Sequence, residues 1–156
     1  MDRNYYYYLD KEGRIWHEGT EVTDPRFALL VHRTLQNSPQ GLLVRCQGEN
    51  CFLEVEDVPY VVQNLAFHKN PEGTLQQIDM IFPGGYTESL LPETLWVSEQ
   101  NVLYCKVRNG TFPARFSRKS LFQLSPYLVE DIANHNYCLE LHGKRFTIGQ
   151  QVPDFL

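Results

Sequence analysis

The sequence predicts an α+β domain, mainly antiparallel sheet with two or three helices. Three observations carry this expectation. Short runs of alternating, β-branched or aromatic residues, separated by Gly, Asn and Pro turns, fill most of the chain. Helix-start signals stand at Asp24-Pro25, Ser117 and Ser125-Pro126. Two central hairpins also align with each other without a gap, which points to two repeated hairpin–helix units.

Taken in order, Tyr5 to Leu9 reads as a strand of four tyrosines and a leucine. Asp10-Lys11-Glu12-Gly13 turns the chain, and Arg14 to Glu18 returns as its hairpin partner. Asp24 is a good N-cap and Pro25 suits the first helical position. Phe27, Leu30, Val31, Thr34 and Leu35 follow at helical spacing, and Asn37 to Gly41 ends the helix. Leu42 to Cys46 and Cys51 to Val55 read as a hairpin, closed off by Glu56-Asp57-Val58-Pro59 because proline cannot donate to a ladder. Tyr60 to His68 and Leu75 to Phe82 read as two longer strands around Asn70-Pro71-Glu72-Gly73. Pro83-Gly84-Gly85 is a turn, and Thr94 to Ser98 is a short strand. Val102 to Arg108 and Thr111 to Phe116 flank Asn109-Gly110, whose residues tolerate the positive φ of a type I′ turn. Ser117 caps a short helix carrying Leu121, Phe122 and Leu124. Ser125-Pro126 repeats the signature for a second helix with Leu128, Val129 and Ile132. Tyr137 to Leu141 and Lys144 to Ile148 close the chain as a hairpin around His142-Gly143.

Composition narrows the function. Of 156 residues, 42% are hydrophobic and 21% charged, an ordinary globular mixture that excludes disorder. The length fits a single domain over 1–156, or two fused subdomains at about 1–68 and 75–156. Nineteen acids against 14 bases give a net charge of −5, which repels phosphate backbones and makes nucleic acid an unfavoured partner. No run approaches the roughly 18 apolar residues of a membrane span. The opening MDRNYYYYLDKEG does not read as a signal peptide. A cytoplasmic chain without a membrane is therefore expected, with the four cysteines Cys46, Cys51, Cys105 and Cys138 as free thiols. In a tight hairpin Cys46 and Cys51 would lie opposite each other. A zinc site would want a second paired motif, so no metal site and no cofactor are expected.

Charge is segregated along the chain. Glu49, Glu54, Glu56 and Asp57 form an acidic stretch without a base. Lys106, Arg108, Arg115, Arg118 and Lys119 form a basic one without an acid. In the hairpin alignment, Leu42-Leu43-Val44-Arg45 lies against Leu103-Tyr104-Cys105-Lys106 and Gly48 falls on Asn109. Glu54 then falls on Arg115 and Asp57 on Arg118, so the two stretches are expected to meet, within the chain or across a homodimer.

These residues also carry a family resemblance. Asn4 to Asp10, Gly13, Asp24-Pro25-x-Phe27, Asn50 with Phe52-Leu53, Glu56-Asp57-x-Pro59 and Gly84-Gly85, in that order, resemble uncharacterised protein family 0598, also called domain of unknown function 4505. The resemblance implies a mitochondrial location for eukaryotic members. Without an Arg-rich leader, this chain is similar to a prokaryotic, cytoplasmic one. More remotely, Gly13-x-Ile15-Trp16-His17-x-Gly19 and Val55-Glu56-Asp57-x-Pro59-Tyr60 resemble domain of unknown function 1285. That resemblance implies repeated α+β motifs and a signalling role. Neither family supplies catalytic residues.

Each candidate residue has a bland reading beside the sharp one. Glu56 and Asp57, beside a proline break, could hold a cation or act as a base. In extended geometry they point to opposite faces, and carboxylates there more often bond to a turn. His17 between Trp16 and Glu18 reads as a surface histidine, and Pro83-Gly84-Gly85 reads as a turn rather than an anion nest. Tyr5, Tyr6, Tyr7 and Tyr8 should alternate, two rings inward and two outward as an interaction surface. No GxSxG, HExxH, CxxC or dinucleotide fingerprint occurs. The sequence therefore favours a non-catalytic binding or regulatory module that recognises a protein or small ligand. The alternative is a small hydrolase or transferase using carboxylates near Asp57, with Arg115 or Arg118 clamping an anionic substrate.

Overall fold

The structure, a computed structural model, describes residues 3–149. The chain opens with β1 (Asn4–Leu9), β2 (Ile15–His17) and β3 (Thr20–Val22), then α1 (Pro25–Thr34), β4 (Gln36–Ser38), β5 (Gly41–Cys46) and β6 (Glu49–Val55). These strands form one six-stranded sheet ordered β3-β2-β1-β6-β5-β4. Its neighbours run antiparallel except at the centre, where β1 and β6 are parallel from Asn4 opposite Asn50 to Leu9 opposite Val55. Next come β7 (Tyr60–Val62), β8 (Asn64–Lys69), β9 (Leu75–Ile81), β10 (Thr87–Ser89), β11 (Trp96–Val97), β12 (Leu103–Val107) and β13 (Phe112–Phe116). Strands β8, β9 and β10 form a meander, while β11-β12-β13-β7 form a second sheet that is again closed by a parallel strand. α2 (Arg118–Leu124) leads to a last meander of β14 (Leu128–Asp131), β15 (Asn136–Leu141) and β16 (Lys144–Thr147).

The fold class is thus corrected from α+β to mainly β. Strands take 50% of the described residues and helices 18%, with four sheets and two α-helices. The expected helix after Ser125-Pro126 is the main reason. Ser125–Tyr127 makes a single 3₁₀ turn, and β14 then pairs with β15, Leu128 opposite Leu139 and Glu130 opposite Tyr137. The β15–β16 hairpin offers an open edge, and pairing with it outweighs a weak cap-and-proline signal. Ile132 is 76% exposed, so the apolar stripe read across Leu128, Val129 and Ile132 is not a buried face.

Several boundaries also move. Tyr60 to His68 breaks at Gln63 into β7 and β8, which belong to different sheets. Asn37 lies in strand β4 rather than in a loop, and Thr94 lies in a 3₁₀ turn that leaves β11 only two residues. Cys51 stands opposite Val44 and Cys46 opposite Glu49, so the two thiols are not cross-strand partners, and all four cysteines are free.

Other local signals behave as their chemistry requires. Asp24 accepts a hydrogen bond from the Arg26 N–H at 2.9 Å, and Pro25 starts α1. The tight hairpins turn on an X-Gly pair with both residues at positive φ, at Gln47-Gly48, Asn109-Gly110 and His142-Gly143, and at Glu18-Gly19. These are the signs of a type I′ turn, whose twist matches that of the strands it joins. The turn at Gly48 corresponds to Gly110, one residue along from the pairing of Gly48 with Asn109 in the sequence alignment.

One core runs through the sheets, from Leu9 and Ile15 through Tyr60, Ile78 and Phe112 to Leu139 and Ile148. Helix α1 closes it on one side by lying on the Pro83–Gly85 turn. Gly84 has φ +78°, and a Cβ there would stand 2.3 Å from the Leu29 nitrogen and 2.6 Å from the Pro25 carbonyl oxygen. Gly84→Ala should therefore cost at least about 3 kcal/mol in urea unfolding, because the clash is with helix backbone that cannot swing away. Gly85→Ala is the control: its φ is also positive but nothing lies within 4 Å, so about 1 kcal/mol of backbone strain is expected.

Candidate functional site

The acidic pair sits where the chain leaves the first sheet. The Glu56 N–H donates to the Leu9 carbonyl at 2.9 Å, which extends the parallel ladder by one residue. Glu56 and Asp57 then serve opposite sides. Glu56 Oε1 accepts the Lys11 backbone N–H at 2.9 Å, in the β1–β2 turn. Asp57 Oδ2 accepts from Arg115 Nη1 at 2.9 Å and from the Tyr104 hydroxyl at 2.7 Å, both in the second sheet. The acidic and basic stretches therefore meet within one chain, at Asp57 and Arg115.

Both contacts are reinforced from behind. Asp10 accepts from the Glu12 N–H, the Arg14 N–H, Arg14 Nε and Trp16 Nε1, at 2.9 to 3.0 Å. Partial burial alone would raise the Asp10 pKa, but the Trp16, Arg14 and Glu12 donors outweigh it and hold the carboxyl below its ordinary value. Across the gap, the Tyr104 ring stacks on Trp96, with centroids 5.2 Å apart and planes 14° apart. Burial, and then the hydrogen bond to Asp57, push the Tyr104 phenol up to about 12.

Between these two braced walls lies a cleft of about 420 Å³ lined by Lys11, Glu12, Arg115, Phe116, Ser117 and Arg118. The Lys11 and Arg118 side chains are exposed and form no ion pair or hydrogen bond among the described residues. Glu12 is bound by Arg14. The structure thus places Arg115 and Arg118 on the cleft wall, with Asp57 and Glu56 behind the walls.

The tyrosines are arranged differently. Tyr5 and Tyr7 turn inward, Tyr7 lying 4.8 Å from Phe27 and 4.6 Å from the His17 ring. His17 is half-buried, and its Nδ1 lies 3.1 Å from the Tyr6 carbonyl oxygen. Tyr6 is 67% exposed and stacks on Phe52, and Tyr8 also faces outward.

A second polar cluster was not legible in the sequence. His32 is buried at the end of α1, with its Nδ1 2.7 Å from the Ala28 carbonyl oxygen and its Nε2 unpartnered. Its carbonyl oxygen accepts from the Tyr60 hydroxyl at 2.6 Å and from Arg108 Nη1 at 3.2 Å. Arg108 Nη1 also donates to the Tyr60 hydroxyl at 2.9 Å, while the Arg108 backbone N–H donates to Glu88 at 3.1 Å. Glu88 in turn accepts from the Tyr86 hydroxyl. The one available clue was Arg108 beside an Asn-Gly turn; its side chain reaches inward to the Tyr60 hydroxyl and the His32 carbonyl, away from the basic stretch.

Comparisons place the fold. No protein-family model matches the chain, and no curated protein matches it. Two solved structures do. A DUF1285 family protein from Silicibacter pomeroyi DSS-3 superposes with a TM-score of 0.69 at 16% identity, covering 96% of this chain and 84% of its own. A DUF1285 family protein from Shewanella baltica OS155 gives 0.59 at 15% identity, covering 77% of this chain and 90% of its own. At such identities the likeness establishes the fold alone. It agrees with the remoter of the two sequence resemblances and lends nothing to the one with family 0598. Among the described residues no helix is long and apolar enough to cross a membrane.

Burial lowers the His32 pKa to about 4. The unfolded chain therefore takes up this proton first, and stability is lost as pH falls from about 6.5 towards 4. Denaturant titrations should show a loss of about 3 kcal/mol over this window that a His32→Phe variant lacks.

Proposed function

We propose that this chain is a non-catalytic binding module whose ligand is a small anion held in the cleft between the β1–β2 turn and the β13–α2 junction. One observation carries the reading. Lys11, Arg115 and Arg118 line a single cleft; Glu56 and Asp57 brace its walls, and Glu12, the acid on the lining, is paired with Arg14. Arg115 is held by Asp57, so its fork is partly ordered before any ligand arrives, which lowers the entropy cost of binding. Lys11 and Arg118 supply charge that the described part of the chain leaves uncompensated.

The same geometry argues against the hydrolase or transferase alternative. A general base needs a lone pair aimed at substrate. Neither Asp57 nor Glu56 lines the cleft: Asp57 Oδ2 holds Arg115 and Tyr104, Glu56 Oε1 holds the Lys11 N–H, and Glu12, which does line it, is paired with Arg14.

The test is calorimetric titration with inorganic phosphate, pyrophosphate and citrate at constant ionic strength. Saturable binding of at least one is expected, weakened about tenfold or more in Arg118→Ala, the range of a lost charge-assisted hydrogen bond. Asp57→Asn should weaken it too, by freeing Arg115. Unchanged affinity in Arg118→Ala, or no saturable binding of any of the three, would overturn the reading.

A further inference from the structure

The outer face of the first sheet carries the opposite chemistry to the cleft. Parallel pairing of β1 with β6 sets Tyr6 beside Phe52 and Tyr8 beside Glu54. The Tyr6 and Phe52 rings stack, centroids 5.7 Å apart and planes 19° apart, leaving Tyr6 67% exposed. The β4–β5 turn rises beside them. Together they flank an open cavity of about 360 Å³ whose lining includes Asn4, Tyr6, Gln40, Phe52 and Glu54.

The polar inventory of this cavity is one-sided. No Lys, Arg or His lines it. The Glu54 carboxylate is exposed and forms no hydrogen bond or ion pair among the described residues. Asn4 offers its Oδ1, which already accepts from Asn50 Nδ2 at 3.2 Å. The Arg14 guanidinium lies over the Trp16 ring, next to Tyr8 in register, and is already paired with Asp10 and Glu12. Arg45 stands opposite Asn50, four residues along β6 from Glu54. Negative potential extends along the strand: the Tyr8 phenol is raised first by desolvation and then by Glu56, Glu54 and Asp10.

Aromatic faces attract cations through the ring quadrupole, and a nearby carboxylate adds charge. An anion would be repelled here, and a neutral apolar ligand would leave Glu54 without a role. We propose that this cavity is a second binding site, separate from the anion cleft, that takes a small alkylammonium ligand between the Tyr6–Phe52 rings and Glu54.

The probe is choline, titrated against the ¹H spectrum of the aromatic rings, with its uncharged isostere 3,3-dimethylbutan-1-ol as control. Choline should shift the Tyr6 and Phe52 resonances saturably, with affinity about tenfold or more above the isostere. Glu54→Gln should erase that preference, and Tyr6→Leu should weaken choline binding. Both residues are exposed, so an unchanged thermal midpoint verifies the fold of each variant. Arg118→Ala should leave choline binding intact, which separates this site from the cleft. Equal affinity for the isostere, a preference that survives Glu54→Gln, or no saturable ring shift would overturn the proposal.

Discussion

A single guanidinium holds together parts of the fold that share no strand. Arg108 sits in the β12–β13 turn, yet its Nη1 reaches the Tyr60 hydroxyl of β7 and the His32 carbonyl of α1. Its backbone N–H meets Glu88 of β10, and its charge lies 5.7 Å from the Phe112 ring centroid. The last turn of a helix has carbonyls without intrahelical partners and a partial negative charge. Arg108 and Tyr60 satisfy one of these carbonyls with two donors. Without them a buried acceptor would be left bare, at a cost of about 1–3 kcal/mol. Sheets, meander and helix are thereby fixed around one point, with His32 and Phe82 packed against Tyr60.

The cleft depends on a simpler device. Glu56 and Asp57 sit in the bend that follows β6, and they serve opposite sides: one fastens the turn of the first sheet, the other the arginine of the second. Two residues of one sequence motif thus set the separation between Lys11 and Arg115. The acids define the site's shape and the bases define its charge.

How much was legible follows from how local each signal is. The Asn109-Gly110 and His142-Gly143 turns and the Asp24-Pro25 helix start depend on residues a few positions apart, and they stand where expected. The Glu18-Gly19 turn instead falls at a predicted strand end, and the Gln47-Gly48 turn is tighter than the loop expected between Cys46 and Cys51. The alternation of Tyr5 to Tyr8 is likewise local. Strand β14 was not readable, because its conformation is decided by the free edge of β15 rather than by its own residues. The break at Gln63 was hidden because β7 is apolar on both faces, as a buried strand is, so no alternation marked where the sheet changes. Glu56, Asp57 and Arg115 could be nominated from charge alone, but Lys11 joins them only through the parallel pairing of β1 with β6. Arg108 was counted with the basic stretch because sequence does not disclose that its side chain points inward.

That parallel pairing also sets a constraint in time. Strand β1 cannot find its partner until Glu49–Val55 has been made, some forty residues later. Parallel partners need such long crossovers, and their contacts form late because the loop must close first. During synthesis Asn4–Leu9 is therefore an uncharged, tyrosine-rich segment of high β-propensity with an unpaired edge. The hairpin to β2 can cover one side early, being local. The other side waits for β6, so the emerging chain is most exposed to aggregation over the interval in which α1 and the β4–β5 hairpin are being made.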